Sequence, residues 1–379
     1  MKLFSQKIWQ YFENTAFVAA FGYVFFAAVS GLGQYAWNSL VGKGFVADIK
    51  SSWVEHHFYL TVLTVVALFI SVLTLWEILS LVAAIVHRER LRAWDRAKLS
   101  ILAEEVLWRY KSTFLTSVLL QLIPKLFMID VFWVVLSYAH KFSLYTTNFK
   151  WYSWIYAYFI WELSTWVWHF SAHRVRLLWC LHAPHHAPAE LNMTVAWTHF
   201  FAEGYYSTVV QCVILVVFGI QPAMLLVIMS IEVTWGTFLH AGERSFKHGR
   251  LGPLQYLIIT PAHHRVHHAK NPVYMDTNFC TLIPFWDWLF GTLQPLRDQV
   301  VIEYGVTRKP DPTRYVDVYF GEIRLLYRDV KNAQGWSNKI RYLLNSPGWS
   351  PEAGAEFTAA TLRAHALRQH PDLGLRPVF

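Results

Sequence analysis

Long apolar stretches alternate with short polar segments over the first two thirds of the chain. Four of them, at residues 16–37, 58–86, 113–139 and 151–168, approach or exceed the roughly 20 residues that a helix needs to cross a bilayer. A fifth apolar region, residues 207–239, is interrupted by the sequence Gly219-Ile220-Gln221-Pro222 and predicts a helical hairpin that returns to its starting side. The pattern predicts an all-α integral membrane protein with four long transmembrane helices and this hairpin.

The composition favours the same assignment. Hydrophobic residues make up 55% of the chain and aromatic residues 17%, whereas charged residues make up only 15%. Soluble domains typically carry about 25% charged residues, and tryptophan and tyrosine are enriched where membranes meet water. The net charge of +8 suits an anionic membrane surface. Because the basic residues are scattered and form no recognisable binding module, no nucleic-acid partner is expected.

The distribution of basic residues predicts the orientation of the chain. Residues 87–98 form the most basic loop, and such loops remain in the cytoplasm. Counting spans from this loop brings every histidine cluster to the cytoplasmic face. The predicted organisation is a transmembrane helical region at residues 1–168, a histidine-rich catalytic region at 169–298 that includes the hairpin, and a cytoplasmic C-terminal tail at 299–379.

Histidines are concentrated in the predicted catalytic region, where twelve of the 18 lie between His169 and His268. The motif HxxxH occurs once and the motif HxxHH twice, and these spacings put the histidines of each motif on one helix face. His263 is surplus, since the second HxxHH motif uses its neighbour. A lone histidine such as His199 is more often a hydrogen-bonded core or surface residue. Three clusters with ligand spacing on one side of a membrane nevertheless predict a metal site.

The ligand types narrow the choice of metal. Imidazole suits iron, zinc, copper and nickel, but a structural zinc site has four ligands, usually with cysteine. The HExxH motif of zinc proteases and the carboxylate pattern of soluble di-iron bundles are both missing from the sequence. Nine candidate imidazoles are too many for one ion and suit two. We therefore expect two irons per chain with O2 as co-substrate; a non-catalytic metal transporter or sensor and a zinc hydrolase are the alternatives.

Two further residues are candidates for catalytic roles. Glu162 lies seven residues before His169, about two helical turns away on the same face. An acidic residue inside an apolar span is expensive and usually functional, and a carboxylate there can accept a hydrogen bond from a ligand imidazole and orient it. His199, which follows the second histidine cluster, is the other candidate.

The region from residue 162 to residue 292 resembles the fatty acid hydroxylase/sterol desaturase superfamily, whose members are membrane di-iron oxygenases. The motifs HFSAH, HAPHH and HHRVHH match its histidine signature, and LNMTVAW, YGVT, PGWSP and the long stretch from LGPLQY to WLFGT look most like the alkylglycerol monooxygenase-like branch. The resemblance implies eight iron ligands and a ninth, His240. The eight are His169, His173, His182, His185, His186, His264, His267 and His268.

Two positions depart from that branch. Arg174 stands where the branch has glutamate, and Cys280 stands where it has glycine. The resemblance to that branch implies tetrahydrobiopterin as electron donor, whose N–H groups a carboxylate can accept from. Since a guanidinium offers only donors, Arg174 is expected to pair with a carboxylate or phosphate instead, and a redox protein is expected to replace the pterin. The function predicted is a membrane-bound non-haem di-iron oxygenase that hydroxylates or desaturates a lipid with O2 and a reductant. Its partners are expected to be a membrane lipid substrate and a redox donor protein that serves as the external electron donor.

Overall fold

The computed structural model describes residues 142–143, 146–148, 150–243, 246–308, 310 and 315–375. The predicted spans at 16–37, 58–86 and 113–139 lie outside these residues. Within them the fold is helical, and β-pairing is limited to isolated bridges. The α-helices are α1 (Trp151–Arg174), α2 (Arg176–His186), α3 (Glu203–Val217), α4 (Pro222–Leu239), α5 (Pro261–His267), α6 (Phe285–Leu289), α7 (Tyr315–Asn332), α8 (Gly335–Leu344) and α9 (Ala359–Gln369).

Helix α1 contains the fourth predicted span, residues 151–168. It extends for 24 residues, past the predicted boundary at residue 168, and buries the polar side chains of Glu162, Thr165 and His169. In the part of the chain that the structure describes, no helix combines the length and the apolar character needed to cross a membrane. The predicted fold class with four long transmembrane helices is thus corrected to an all-α fold. The prediction for α1 was wrong because its many aromatic residues were counted as apolar, whereas its buried positions include polar side chains.

The predicted break in the apolar region 207–239 separates α3 from α4. Gly219 has a φ of 69°, in the left-handed region that favours glycine, and Pro222 occupies the first position of α4, where its missing N–H costs nothing. Both helices pack against α1 through a shared apolar core that includes Trp161, Leu215 and Ile228. This packing places the C-terminal end of α4 beside the histidine motifs.

The described part of the C-terminal region packs onto the histidine-rich region. Helix α7 contacts α2 and α8, and α9 contacts the short 3-10 helix Pro272–Tyr274. Arg363 of α9 is buried, and its Nη1 donates to the carbonyl of Met275 at 3.0 Å. The C-terminal helices therefore form one wall around the histidines.

Candidate metal centre

The first two histidine motifs lie on consecutive helices. Val175 has an extended conformation, with φ −112° and ψ 117°, and it ends α1 and begins α2. This change of direction brings the two helices into contact along their lengths. Five histidines are carried by this pair: His169 and His173 on α1, and His182, His185 and His186 on α2.

The remaining candidates come from the end of α4 and from the short helix α5. His240 follows the last residue of α4, and α5 carries the HHRVHH motif. Thr260 and His263 form a capping box at the start of α5, in which the backbone N–H of Thr260 donates to Nδ1 of His263 at 3.3 Å. His263, predicted to be the surplus member of the motif, caps the helix and lies outside the clusters described next.

The structure brings all nine predicted ligands together in two groups, and all nine side chains are buried. Within each group the candidate ligand nitrogens lie within 4.8 Å of one another. We call them the five-histidine group and the four-histidine group. The first consists of His169, His173, His182, His186 and His267, and the second of His185, His240, His264 and His268.

Six of the nine rings have an acceptor at Nδ1. Backbone carbonyls accept from four of them, and carboxylates lie beside the other two. A partner of this kind fixes the tautomer and leaves Nε2 free to bind a metal. The carbonyl pairs are His169 with Phe279 (3.0 Å), His185 with Val195 (3.2 Å), His240 with Gly236 (2.6 Å) and His267 with Thr277 (2.8 Å). The carboxylate pairs are His182 with Glu203 (2.7 Å) and His173 with Asp276 (3.4 Å).

The Nε2 atoms indicate that a cation belongs between them. Nε2 of His173 and Nε2 of His267 are buried and have no hydrogen-bond partner within the described part of the chain. Other Nε2 atoms face one another, such as those of His169 and His182 at 3.1 Å and those of His185 and His240 at 3.3 Å. Two Nε2 atoms whose Nδ1 positions are protonated both present lone pairs, so a metal ion between them satisfies both. The donor set therefore fits transition-metal ions that accept imidazole ligands.

The surroundings also keep these imidazoles in the form that binds metals. Burial lowers the pKa of His267 to about 3 and that of His240 to about 3. Burial and the neighbouring imidazoles lower the pKa of His264 and that of His268 well below the usual value. These rings are therefore neutral at physiological pH, and a neutral imidazole is the ligating form.

Glu203, at the start of α3, was not recognised in the sequence. Its buried carboxylate lies 2.7 Å from Nδ1 of His182 and 3.0 Å from Nδ1 of His199. Burial alone would raise the pKa of this carboxyl, but the charges of the two histidines outweigh it and lower the pKa to about 2. The one available signal was the spacing of four residues between His199 and Glu203. The carboxylate orients an imidazole of the five-histidine group.

His199 lies beside the two groups and belongs to neither. Its ring stacks on that of His185, with centroids 4.5 Å apart and an interplanar angle of 15°. Its Nε2 faces the carbonyl of Ala196 at 3.0 Å. Burial would lower the pKa of His199, but the charge of Glu203 and the hydrogen bond to it raise the pKa instead. The structure thus places this predicted catalytic residue where it supports the ring of His185.

Glu162, the other predicted catalytic residue, is fully buried and accepts three backbone hydrogen bonds. The donors are the N–H groups of Thr281 (3.0 Å), Leu282 (2.7 Å) and Ile283 (3.1 Å). The expected hydrogen bond from a ligand imidazole is replaced by these contacts. The carbonyl of Phe279, two residues before Thr281, accepts from Nδ1 of His169. Glu162 therefore holds the backbone segment that orients this candidate ligand.

Arg174 pairs with a carboxylate, as its chemistry predicted. Its Nη1 lies 3.0 Å from Oδ2 of Asp276, whose Oδ1 lies 3.4 Å from Nδ1 of His173. Asp276 has a φ of 56°, in a region that non-glycine residues seldom adopt. Burial raises the pKa of Asp276, and the charge of Arg174 opposes that effect. The arginine therefore holds the carboxylate that orients His173.

Two cavities reach the histidines. The hairpin-side cavity, of about 400 Å³, touches both groups and extends between α1, α3 and α4. Its apolar lining includes Trp161, Val233, Leu239 and Phe279. The tail-side cavity, of about 130 Å³, reaches both groups from the side of the C-terminal region. The larger cavity has room for part of an organic substrate beside the candidate ligands.

The histidine-rich region of the chain is similar to known lipid-modifying proteins. The fatty acid hydroxylase family profile matches residues 154–292. Alkylglycerol monooxygenase from Xenopus tropicalis is 30% identical over 183 residues, which are 48% of this chain and 39% of that protein. The human alkylglycerol monooxygenase is 27% identical over 183 residues, with the same coverage. An ornithine lipid hydroxylase from Rhizobium tropici is 27% identical over 141 residues, which are 37% of this chain and 41% of that protein.

The matches cover only part of each relative. The chain spans about two fifths of the length of the curated relatives it matches. No solved structure matches it. The matched residues include Glu162, all nine candidate ligands and Glu203. Residues 154–292 therefore resemble the fatty acid hydroxylase family, and the predicted resemblance to this superfamily and to its alkylglycerol monooxygenase-like branch is confirmed.

Proposed function

We propose that this protein is a membrane-associated non-haem iron oxygenase that hydroxylates a lipid, with two irons held by the nine histidines. The observation that carries the proposal is the sorting of nine buried imidazoles into a group of five and a group of four, with Nε2 atoms facing one another. The absence of cysteine from these groups favours iron over structural zinc. The similarity to alkylglycerol monooxygenases supports the same assignment.

The overall reaction is the insertion of one oxygen atom into a C–H bond. A lipid R–H reacts with O2, two electrons and two protons to give R–OH and water. Bound iron supplies the activation of O2, and the protein supplies position and a dry environment. Trp161, Val233 and Phe279 line the hairpin-side cavity beside the histidines and exclude water from the reacting carbon. Desaturation begins with the same removal of hydrogen and remains the alternative outcome for this site.

Lipid is the substrate class that the relatives and the cavity support together. The relatives are named for alkylglycerols and for ornithine lipids, which share a long hydrocarbon portion. Access to such substrates requires association with a membrane, for which the net charge of +8 and the aromatic content are suited. We propose a cytoplasmic position for the catalytic region and the C-terminus, which the basic segment 87–98 supports.

The electron donor is proposed to be a redox protein of the ferredoxin or cytochrome type. Arg174 occupies the position where the related branch has a carboxylate, and its guanidinium is engaged with Asp276. It offers no acceptor for the N–H groups of a pterin. The tail-side cavity, at about 130 Å³, gives the histidines a second approach from the side of the C-terminal helices.

The proposal is tested by isotope labelling. Full-length protein purified with iron is supplied with a ferredoxin and its reductase, 18O2 and a panel of membrane lipids. We expect a lipid product that is heavier by one labelled oxygen atom and an oxygen uptake that depends on lipid. His248→Ala is the control, since this histidine is exposed and lies outside both groups. Tight metal binding with no labelled lipid and no oxygen uptake would instead identify a metal transporter or sensor, and a zinc-loaded protein would identify a hydrolase.

Replacing Glu203 with glutamine is expected to weaken metal binding. The amide cannot carry the negative charge that stabilises the Nδ1–H of His182, and losing an outer partner of this kind typically lowers metal affinity by roughly 10–100-fold. Iron retained after dialysis against graded concentrations of a chelator provides the measurement. Glu356→Gln, the same change at an exposed glutamate, should leave retention unchanged. If both variants retain iron like the wild type, Glu203 does not support the metal centre.

A further inference from the structure

A second carboxylate, Glu232 of α4, lines the hairpin-side cavity. Its Oε1 accepts from the hydroxyl of Thr165 at 3.3 Å and from that of Thr281 at 3.3 Å. Its Oε2 is buried and has no hydrogen-bond partner among the residues that the structure describes. A buried acceptor left in this state is destabilising. Such a group indicates that a donor is bound there in the functional state.

The neighbours of Glu232 extend this polar patch within an otherwise apolar packing of helices. Nε2 of Gln211 donates to the hydroxyl of Thr165 at 3.2 Å, which joins α3 to the patch. The hydroxyl-bearing side chains of Ser207, Thr208 and Thr237 also line the cavity. The hydroxyls of Ser207 and Thr237 donate to backbone carbonyls of their own helices, so towards the polar end of a lipid they can act as acceptors.

The patch lies close to the candidate metal ligands. Thr165, which contacts Glu232, stands four residues before His169 on α1, so the two are about 6 Å apart along the helix axis. Glu232 itself lies about two turns before His240 on the same helical segment. A donor bound at Oε2 of Glu232 therefore lies in the same cavity as the histidines, and carbon atoms of the same lipid can reach them from there.

We propose that Glu232 binds a hydrogen-bond donor at the polar end of the lipid, a hydroxyl or an ammonium group, and thereby selects lipids that present a C–H bond near that donor. This inference rests on the proposed function, because it assigns a specificity role within the same cavity. Glu232 is a substrate-binding residue in this account, and the histidines remain the metal ligands. The hydrocarbon chain of the lipid follows the apolar lining of the cavity.

Lipid binding to the full-length protein in phosphatidylcholine nanodiscs tests the inference without turnover. The probes are 1-O-hexadecylglycerol, its di-O-methyl ether and hexadecylamine. The wild type should bind one of the two donor lipids at least about tenfold more tightly than the ether, which corresponds to about 1.4 kcal/mol. Glu232→Leu should abolish this preference. Glu232→Gln should retain a preference for the glycerol lipid if the donor is a hydroxyl, and lose it for the amine if the donor is an ammonium group.

Val233→Ala is the matched control, since this neighbouring residue lines the same cavity with an apolar side chain. It should change the affinities for all three probes by a similar factor. If Glu232→Leu weakens all probes equally, Glu232 has only a structural role and the inference is wrong. If the leucine variant does not fold, Glu232→Ala, which also lacks an acceptor, provides the same comparison. The proposed function is wrong if the wild-type protein holds no iron or binds no lipid. If iron and lipid binding are normal and the Glu232→Leu variant keeps the wild-type preference, only the role of Glu232 is wrong.

Discussion

Replacing His267 with alanine is expected to abolish lipid oxidation and to remove the iron held by the five-histidine group. The Nε2 of His267 is buried and has no partner among the residues that the structure covers, and its Nδ1 donates to the carbonyl of Thr277 at 2.8 Å. The ring is thus orientated for a metal ligand role and has no alternative partner. Losing an outer partner of a ligand costs roughly 10–100-fold in metal affinity, and losing the ligand itself should cost more. Elemental analysis of the purified protein, combined with the 18O2 assay, measures both effects.

His263→Gln is the matched control for this experiment. His263 lies on the same helix, and glutamine at this position can form the same capping box with Thr260. This variant should keep the iron content and turnover of the wild type, because His263 belongs to neither group. Full activity in the His267→Ala variant would contradict the assignment of these histidines as metal ligands.

Replacing Glu162 with leucine is expected to unfold the protein or to lower its free energy of unfolding by several kcal/mol. The change leaves three backbone N–H groups, those of Thr281, Leu282 and Ile283, without their acceptor. Each orphaned buried group costs about 1–3 kcal/mol, and the total stability of a domain is only about 5–15 kcal/mol. The displaced segment would also move the carbonyl of Phe279 that holds His169.

Denaturant unfolding of the detergent-solubilised protein measures this loss, and Glu162→Gln is the milder comparison. The amide oxygen of glutamine still accepts, so this variant should lose less stability than Glu162→Leu. The two possible roles of Glu162 have different signatures. If Glu162 bonded directly to a ligand imidazole, its replacement would lower iron retention without changing the free energy of unfolding. The observed backbone contacts instead predict that its replacement lowers the free energy of unfolding. A leucine variant as stable as the wild type would contradict the structural role described above.

Several features of the site were predictable because they follow from helix geometry alone. The HxxxH and HxxHH spacings placed histidines on common faces, and the register of the third motif left out His263, which caps α5 in the structure. The sequence Gly219-Ile220-Gln221-Pro222 predicted the break between α3 and α4, since glycine and proline have strong local preferences. The donor-only chemistry of Arg174 predicted its carboxylate partner, although not that the partner would be Asp276.

Other features depended on contacts between distant segments. The apolar pattern overestimated the membrane-crossing character of α1, because hydropathy does not show that Glu162 and Thr165 are buried against other helices. The partners of Glu162 lie more than a hundred residues further along the chain. Glu203 was not predicted from the sequence because its contact with His182 depends on the packing of α3 against α2.

The sequence by itself determined which histidines are available and that neighbours in each HH pair face different directions, because successive residues on a helix are about 100° apart. Only the tertiary structure decided how these faces combine. His186 joins His267 in the five-histidine group, whereas their neighbours His185 and His268 join the four-histidine group. The physical reason is that spacing along one helix is set by local backbone geometry, while the meeting of α1, α2, α4 and α5 is set by side-chain packing between segments far apart in the chain.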